Sequence, residues 1–160
     1  MTDWNDFFAA TAGSAAALTG LIFVGVSISL AKILSIATLP NRALISLVLL
    51  LTILISSILF LVPQQTQVST GVEILILGMI VWVFISILDI QIFRLKEKTF
   101  KRLYVLNMII DQVAVIPYLI GGFKILLICD KGIYWIVPAI IFSFIKAVLD
   151  AWVLLVEINR

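Results

Sequence analysis

The fold of this chain is decided by one basic run, Arg94–Leu95–Lys96–Glu97–Lys98–Thr99–Phe100–Lys101–Arg102, which separates two long apolar segments. The run holds five of the eleven Lys and Arg residues against one acid, so its net charge is +4 in a chain of net charge +2. Loops rich in Lys and Arg stay on the cytoplasmic side of a membrane, because their translocation is disfavoured. The run therefore predicts a cytoplasmic loop between two spanning helices.

The composition places the whole chain among membrane proteins. Hydrophobic residues make up 63% of the 160 residues, charged residues make up 12%, and the mean hydropathy is +1.25. Soluble proteins are roughly 45–50% apolar. The apolar runs are continuous rather than alternating, which predicts helices and not strands. We therefore expect an all-α, polytopic transmembrane helix bundle, formed by residues 1–160 as a single domain.

The residue inventory excludes several classes of function. The chain has no histidine and one cysteine, Cys129. This excludes an intrachain disulfide and removes the usual ligands of zinc, haem and iron–sulfur centres. The cations are too few and too localised for nucleic-acid binding. No nucleophile–base motif occurs, so we predict no metal, no cofactor and no enzymatic activity.

Five segments are long enough to cross a hydrocarbon core of roughly 30 Å, at about 1.5 Å per residue. We predict the spans at residues 8–31, 43–62, 72–93, 103–123 and 133–156. The first segment is too long for a secretory signal, and it follows the acids Asp3 and Asp6 rather than a basic region.

The distribution of cations predicts the orientation of the bundle. With the amino terminus outside, the inner side carries eight cations, namely Lys32, Arg42, the five of the basic run and Arg160. The outer side then carries two, Lys124 and Lys131, while Lys146 lies within a span. This bias predicts that the amino terminus lies outside and the carboxyl terminus inside.

The first predicted span is rich in small residues at helical spacing. Two neighbouring rows follow this spacing, Ala9/Gly13/Ala17 and Ala12/Ala16/Gly20. Such rows let another helix backbone approach closely, so Gly13, Ala16, Ala17 and Gly20 are candidate helix-packing residues. Tight packing inside the monomer is the favoured interpretation, and a seam between two copies is the alternative.

The fourth predicted span contains residues that distort helices. Pro117 removes a backbone donor and frees the carbonyl of Val113, while Gly121 and Gly122 offer no side chain to support the next turn. We therefore expect a kink in the outer half of this helix.

Charged side chains inside the spans are the main clue to function. Five residues form a predicted intramembrane polar cluster: Asp89, Asn107, Asp111, Lys146 and Asp150. The last two share one face of the fifth span, as Asn107 and Asp111 do in the fourth. Because a short turn joins these two spans, Lys146 is predicted to reach Asp111 as well as Asp150. Glu73, by contrast, is predicted in the first turn of its helix, where the dipole favours an anion.

Three motifs in the first third of the chain resemble a known family. They are Trp4–Asn5–Asp6–Phe7–Phe8, the small-residue-rich stretch 12–28, and Leu39–Pro40–Asn41–Arg42–Ala43. They look like a family of small bacterial integral membrane proteins, some of which carry the label modulator of the FtsH protease. The resemblance implies a multi-pass protein of the bacterial inner membrane. Its motifs are structural and transfer no functional residue.

Two classes of function follow from these observations. In the first, the protein is a structural or regulatory partner of other membrane proteins, without catalysis. The small-residue rows or the basic loop would then meet a larger membrane protein or a second copy, and the loop could also touch anionic lipid. In the second, a homo-oligomeric channel or small transporter attracts a cation or proton through the acidic excess of the cluster. A lipid-modifying enzyme has the least support.

Overall fold

The structure, a computed structural model, describes residues 4–95, 101–127 and 130–158. Its elements are α1 (Asn5–Ile28), α2 (Leu30–Ser35), α3 (Leu39–Leu61), α4 (Gln67–Leu95), α5 (Lys101–Leu126), a 3-10 turn (Asp130–Gly132) and α6 (Ile133–Ile158). These ranges contain no strand, and every helix except α2 is long and apolar enough to span a membrane. The predicted all-α bundle with five candidate spans is confirmed.

The first two spans differ from the prediction at the break between them. The first span ends at Ile28 rather than at residue 31, and the short helix α2 follows it. The Ser27 hydroxyl donates to the carbonyl of Phe23 at 2.8 Å, a local bond that often bends a helix. The next helix begins at Leu39 rather than at residue 43, because Pro40 is tolerated in a first turn, where its missing N–H has no partner.

The third span begins five residues earlier than predicted, at Gln67. The hydroxyl oxygen of Thr66 accepts the backbone N–H of Ser69 at 3.2 Å and caps the first turn. Glu73 therefore lies beyond the first turn, so its predicted interaction with the helix dipole is wrong. It accepts a hydrogen bond from the Ser69 hydroxyl at 3.3 Å instead.

The core of the bundle is formed by α3, α4, α5 and α6. α5 packs against α4 and α6, and α3 packs against the same two helices. α4 and α5 approach closely at glycines. A Cβ added at Gly71 would lie 2.5 Å from the backbone nitrogen of Leu126, and one at Gly122 would lie 2.9 Å from that of Leu75.

α5 is one continuous helix that contains Pro117 and both predicted kink glycines. Gly121 allows α6 to approach, because a Cβ there would lie 2.6 Å from Cδ1 of Ile136. Gly122 does the same for α4. The two glycines thus serve helix packing, and the kink in the outer half of α5 stays a prediction.

α1 lies outside the four-helix core and packs chiefly against α3. The Phe8 ring stacks on that of Phe60 with centroids 4.4 Å apart, and the hydroxyl oxygens of Thr11 and Ser57 lie 2.8 Å apart. Only 11% of the most apolar stretch of α1 is buried, against 33–44% for the other four long helices. α1 is therefore the least enclosed of the candidate spans.

The orientation across the membrane stays a prediction, because Cys129 and residues 96–100 lie outside the described residues. A membrane-impermeant thiol reagent on intact cells is expected to label Cys129, whose turn is predicted to lie outside. In a Cys129→Ser background, Thr99→Cys is expected to react only after the cells are opened. The opposite labelling pattern would reverse the orientation.

Candidate functional site

Lys146 lies at the centre of a buried ion cluster in the four-helix core. Its Nζ is 2.9 Å from Oδ1 of Asp111 on α5, and it also contacts Oδ2 of Asp150, one turn further along α6. The side chains of Lys146, Asp111 and Asp150 are 1%, 0% and 2% exposed. One ammonium group thus joins a carboxylate of the neighbouring helix to a carboxylate of its own helix.

Two further residues complete the ion cluster. Asn107 makes a long contact of 3.5 Å from Nδ2 to Oδ2 of Asp111. Asp89, on α4, is buried and interacts with Asp111. Its Oδ2 atom has no hydrogen-bond partner within the ranges 4–95, 101–127 and 130–158. The structure therefore brings together all five residues of the predicted cluster, from α4, α5 and α6.

The charge of the ion cluster is unbalanced. The cluster holds three carboxyl groups and one ammonium group, so full ionisation would leave a net charge of −2. α3 adds no charged side chain beyond Arg42 in its first turn. Buried ions cost several kcal/mol each unless they are paired, and one lysine neutralises one acid. A bound proton or cation would relieve the remaining acidic excess.

Three buried residues with hydroxyl groups lie in the same core, on α6, α5 and α3: Ser143, Tyr118 and Ser56. Ser143 lies one turn before Lys146 on α6 and donates to the carbonyl of Ala114 at 3.4 Å. Tyr118 on α5 is fully buried, and the polar neighbours of its hydroxyl are Ser143 and Ser56. That hydroxyl forms no hydrogen bond of ordinary geometry with any described residue.

A separate pair of hydroxyl groups lies at the interface between α3 and α1. Ser57 follows Ser56 in α3 and shares its hydrogen bond with Thr11, which is half-buried. Sequence reasoning assigned no chemistry to the α3 serines and did not single out Thr11. The packing of α1 on α3 brings Thr11 to Ser57, and the packing of α3 and α6 around α5 brings Ser56 and Ser143 near Tyr118.

A small polar cavity lies at the predicted cytoplasmic end of the bundle. Its volume is about 90 Å³, and its lining includes Thr38, Arg42, Tyr104 and Glu157. Tyr104 lies one turn before Asn107 on α5, and the Arg42 guanidinium lies 5.6 Å from the centroid of the Tyr104 ring. The cavity thus places polar groups near the predicted cytoplasmic ends of α3, α5 and α6.

The small-residue rows of α1 face away from α3. Gly13, Ala16, Ala17 and Gly20 are exposed, and a Cβ added at either glycine would meet no atom within 4 Å. The favoured interpretation of tight packing inside the monomer is therefore wrong for the described part of the chain. Larger side chains at positions 8, 18 and 22 form the packed face of α1 instead.

A second polar contact between α4 and α5 lies on the outside of the bundle. The indole Nε1 of Trp82 donates to Oε1 of Gln112 at 2.7 Å, and Nε2 of Gln112 donates to the Ser86 hydroxyl at 3.4 Å. Sequence reasoning missed this contact, although a glutamine inside a predicted span indicates that its amide group has a hydrogen-bond partner on a neighbouring helix. It ties the two helices that carry Asp89 and Asp111.

The basic run is described only in part. Arg94 and Arg102 are exposed, and Lys101 begins α5. Lys96 and Lys98 lie outside the described residues. The contact of this loop with anionic lipid or with a cytosolic partner stays a prediction.

Two features carry information about function, the ion cluster and the exposed face of α1. Comparison with known proteins finds no match to any family model, curated protein or solved structure. The bacterial inner-membrane origin implied by the first third of the chain stays a prediction. The described residues themselves form a multi-pass membrane bundle.

Proposed function

We propose that the protein is a structural or regulatory component of a membrane assembly, which binds another membrane protein through α1 and has no catalysis of its own. The observation that supports this proposal is the exposure of both small-residue rows. Between helices in lipid the hydrophobic effect gives little attraction, so close packing of small residues contributes much of the association. The exposed small residues of these rows, among which Gly13 and Gly20 have open space around them, are therefore suited to a helix of a partner.

The attachment of α1 to its own bundle supports the same function. The residues of the ion cluster come from α4, α5 and α6, and α1 contributes none of them. The predicted inner half of α1 is loosely packed, and an apolar cavity of about 180 Å³ lies between it and α6, lined in part by Leu21, Gly25 and Leu154. One face of α1 holds it to α3, and the opposite face remains for a partner, either a larger membrane protein or a second copy of this chain.

Photo-crosslinking in native membranes tests this function. A photoreactive residue at Ala16 is expected to give one discrete crosslinked product, whose mass distinguishes a second copy from a different protein. The same residue at Ile58, which is exposed on α3, is the control and should react with lipid alone. Equal, diffuse labelling at both positions would contradict the proposal.

Substitution of Gly13 gives a second readout of the same contact. Gly13→Leu is expected to lower the yield of the Ala16 product at least tenfold, because a large side chain would separate the two backbones. The melting temperature should not fall, since Gly13 has no contact inside the monomer. Ser14→Leu, exposed on α1 and about 100° around the helix from Gly13, is the control and should keep the product. Equal loss in both variants would show that the small-residue face is not the contact.

The acidic excess of the ion cluster favours a second function, the passage of a proton or cation across the membrane. Ionisable residues inside a membrane bundle are rare, and they often mark ion pathways. One copy of the chain encloses the whole cluster, so an oligomer is not required to build the site. Assembly through α1 and ion passage through the core would use different surfaces of the same molecule.

A further inference from the structure

We propose that Asp89 binds a proton at neutral pH and donates it, in a hydrogen bond, to the carboxylate of Asp111. The ion cluster would then contain a binding site for one proton at the interface between α4 and α5. This inference goes beyond the second function proposed above, because the site exists whether or not a proton then crosses the membrane.

Asp89 is the acid of the ion cluster that no cation neutralises. Its side chain is buried, with 5% of the residue exposed. Lys146 contacts Asp111 and Asp150, and among the described residues no ion pair forms with Asp89. A carboxylate that is buried without a partner is so costly that the group takes up a proton instead. Asp89 is therefore the acid of the cluster that we expect to be neutral.

The other charged groups around Asp89 do not replace the proton. α5 presents Asp111, and α6 presents Asp150 together with Lys146, whose ammonium group is already shared between those two acids. α3, which also packs against α4, carries no charged side chain beyond Arg42 in its first turn. α4 itself has no other charged residue within four positions of Asp89. The surroundings of Asp89 thus hold more negative than positive charge.

A proton on Asp89 would turn a repulsive contact into a hydrogen bond. The Asp89 carboxyl group lies within hydrogen-bond distance of Asp111, but two ionised carboxylates offer only acceptors. Oδ2 of Asp89 has no partner among the described residues, and a protonated carboxyl group gains an O–H donor. Asp111 would then be faced by the ammonium group of Lys146 at 2.9 Å, by Nδ2 of Asn107 at 3.5 Å and by the Asp89 donor. One proton shared by two carboxyl groups removes the repulsion between them.

The proton would also make the contact between α4 and α5 depend on pH. A proton that the folded chain holds and the unfolded chain releases makes the stability fall as the pH rises, because the unfolded state then binds fewer protons. Gly71 and Gly122 hold α4 and α5 together elsewhere along their length. Loss of the proton would therefore weaken this interface without removing it.

Infrared spectroscopy of the full chain at neutral pH, in detergent micelles free of ester groups, tests this inference. A protonated carboxyl group has a carbonyl stretching band that a carboxylate lacks. The wild type is expected to show this band, and Asp89→Asn, which puts a neutral amide in place of the acid, is expected to lose it. Glu73→Gln is the control and should keep the band, because Glu73 is a half-buried acid of α4 outside the cluster. Absence of the band in the wild type, or its persistence in Asp89→Asn, would overturn the inference.

The pH dependence of unfolding in mixed micelles gives a second readout. From about pH 5, where a free aspartate is ionised, up to neutral pH, a proton held only by the folded chain changes the unfolding equilibrium constant about tenfold per pH unit. The wild type is expected to lose stability with rising pH by this amount relative to Asp89→Asn, and Glu73→Gln should keep the wild-type slope. Equal slopes in the wild type and Asp89→Asn would contradict the inference. Where Asp89→Asn fails to fold, carboxyl-carbon NMR of aspartate-labelled wild type decides: one aspartate protonated at neutral pH supports the site, and none overturns it.

Discussion

Replacement of Lys146 by Met is expected to be among the most destabilising single changes in the bundle. The change leaves Asp111 and Asp150 without their cation at sites that are 0% and 2% exposed. Breaking a buried ion pair costs about 3–5 kcal/mol in soluble proteins, because the remaining charge is uncompensated. Reversible unfolding in mixed micelles measures the loss. Lys124→Met is the control, since Lys124 is only half-buried and lies over the Trp135 ring at 4.8 Å.

The double variant Asp111→Asn, Lys146→Met shows whether the loss comes from the pair. The double variant removes both the negative charge of Asp111 and the positive charge of Lys146, so no uncompensated charge remains at that contact. It should therefore be more stable than the sum of the single effects implies. Residues in direct contact typically show coupling energies of about 0.5–3 kcal/mol. Strict additivity would mean that α5 and α6 are not joined through this pair.

Replacement of Gly71 by Ala is the second change with a large expected effect. The added Cβ would lie 2.5 Å from the nitrogen and 2.8 Å from the Cα of Leu126, and these backbone atoms cannot rotate away. α4 and α5 would have to separate. Overpacking of this kind typically costs about 1–3 kcal/mol. The measurement is the same unfolding midpoint as for Lys146→Met.

Two other glycines of the chain provide a graded control. A Cβ at Gly78 would lie 3.0 Å from Cδ2 of Leu119, a side-chain atom that can move, so Gly78→Ala should cost less. Gly13→Ala should be neutral or stabilising, because the added methyl group meets nothing within 4 Å and alanine favours the helix by about 1 kcal/mol. The expected destabilisation is largest for Gly71→Ala, smaller for Gly78→Ala and absent for Gly13→Ala. A Gly71→Ala variant as stable as Gly13→Ala would contradict the close approach of α4 and α5.

The sequence by itself determined the number and type of the spanning elements. Long apolar runs in a bilayer must form helices, since every backbone polar group needs a partner within its own segment. It also determined that Lys146 meets Asp111 and Asp150. One of these acids is four residues away on the same helix, and the other lies on the helix joined by a short turn, so local spacing sufficed.

Only the tertiary structure decided which face of each helix is packed. Both sides of a membrane helix are apolar, so hydropathy did not show that α1 turns its small residues outward while α4 and α5 meet at glycines. The approach of α4 to α5 brings Asp89 to Asp111, and the packing of α3 and α6 around α5 sets Ser56 and Ser143 beside Tyr118. These contacts join residues far apart in the chain. They depend on which helices become neighbours, and the fit of side chains and backbones across the whole bundle determines that.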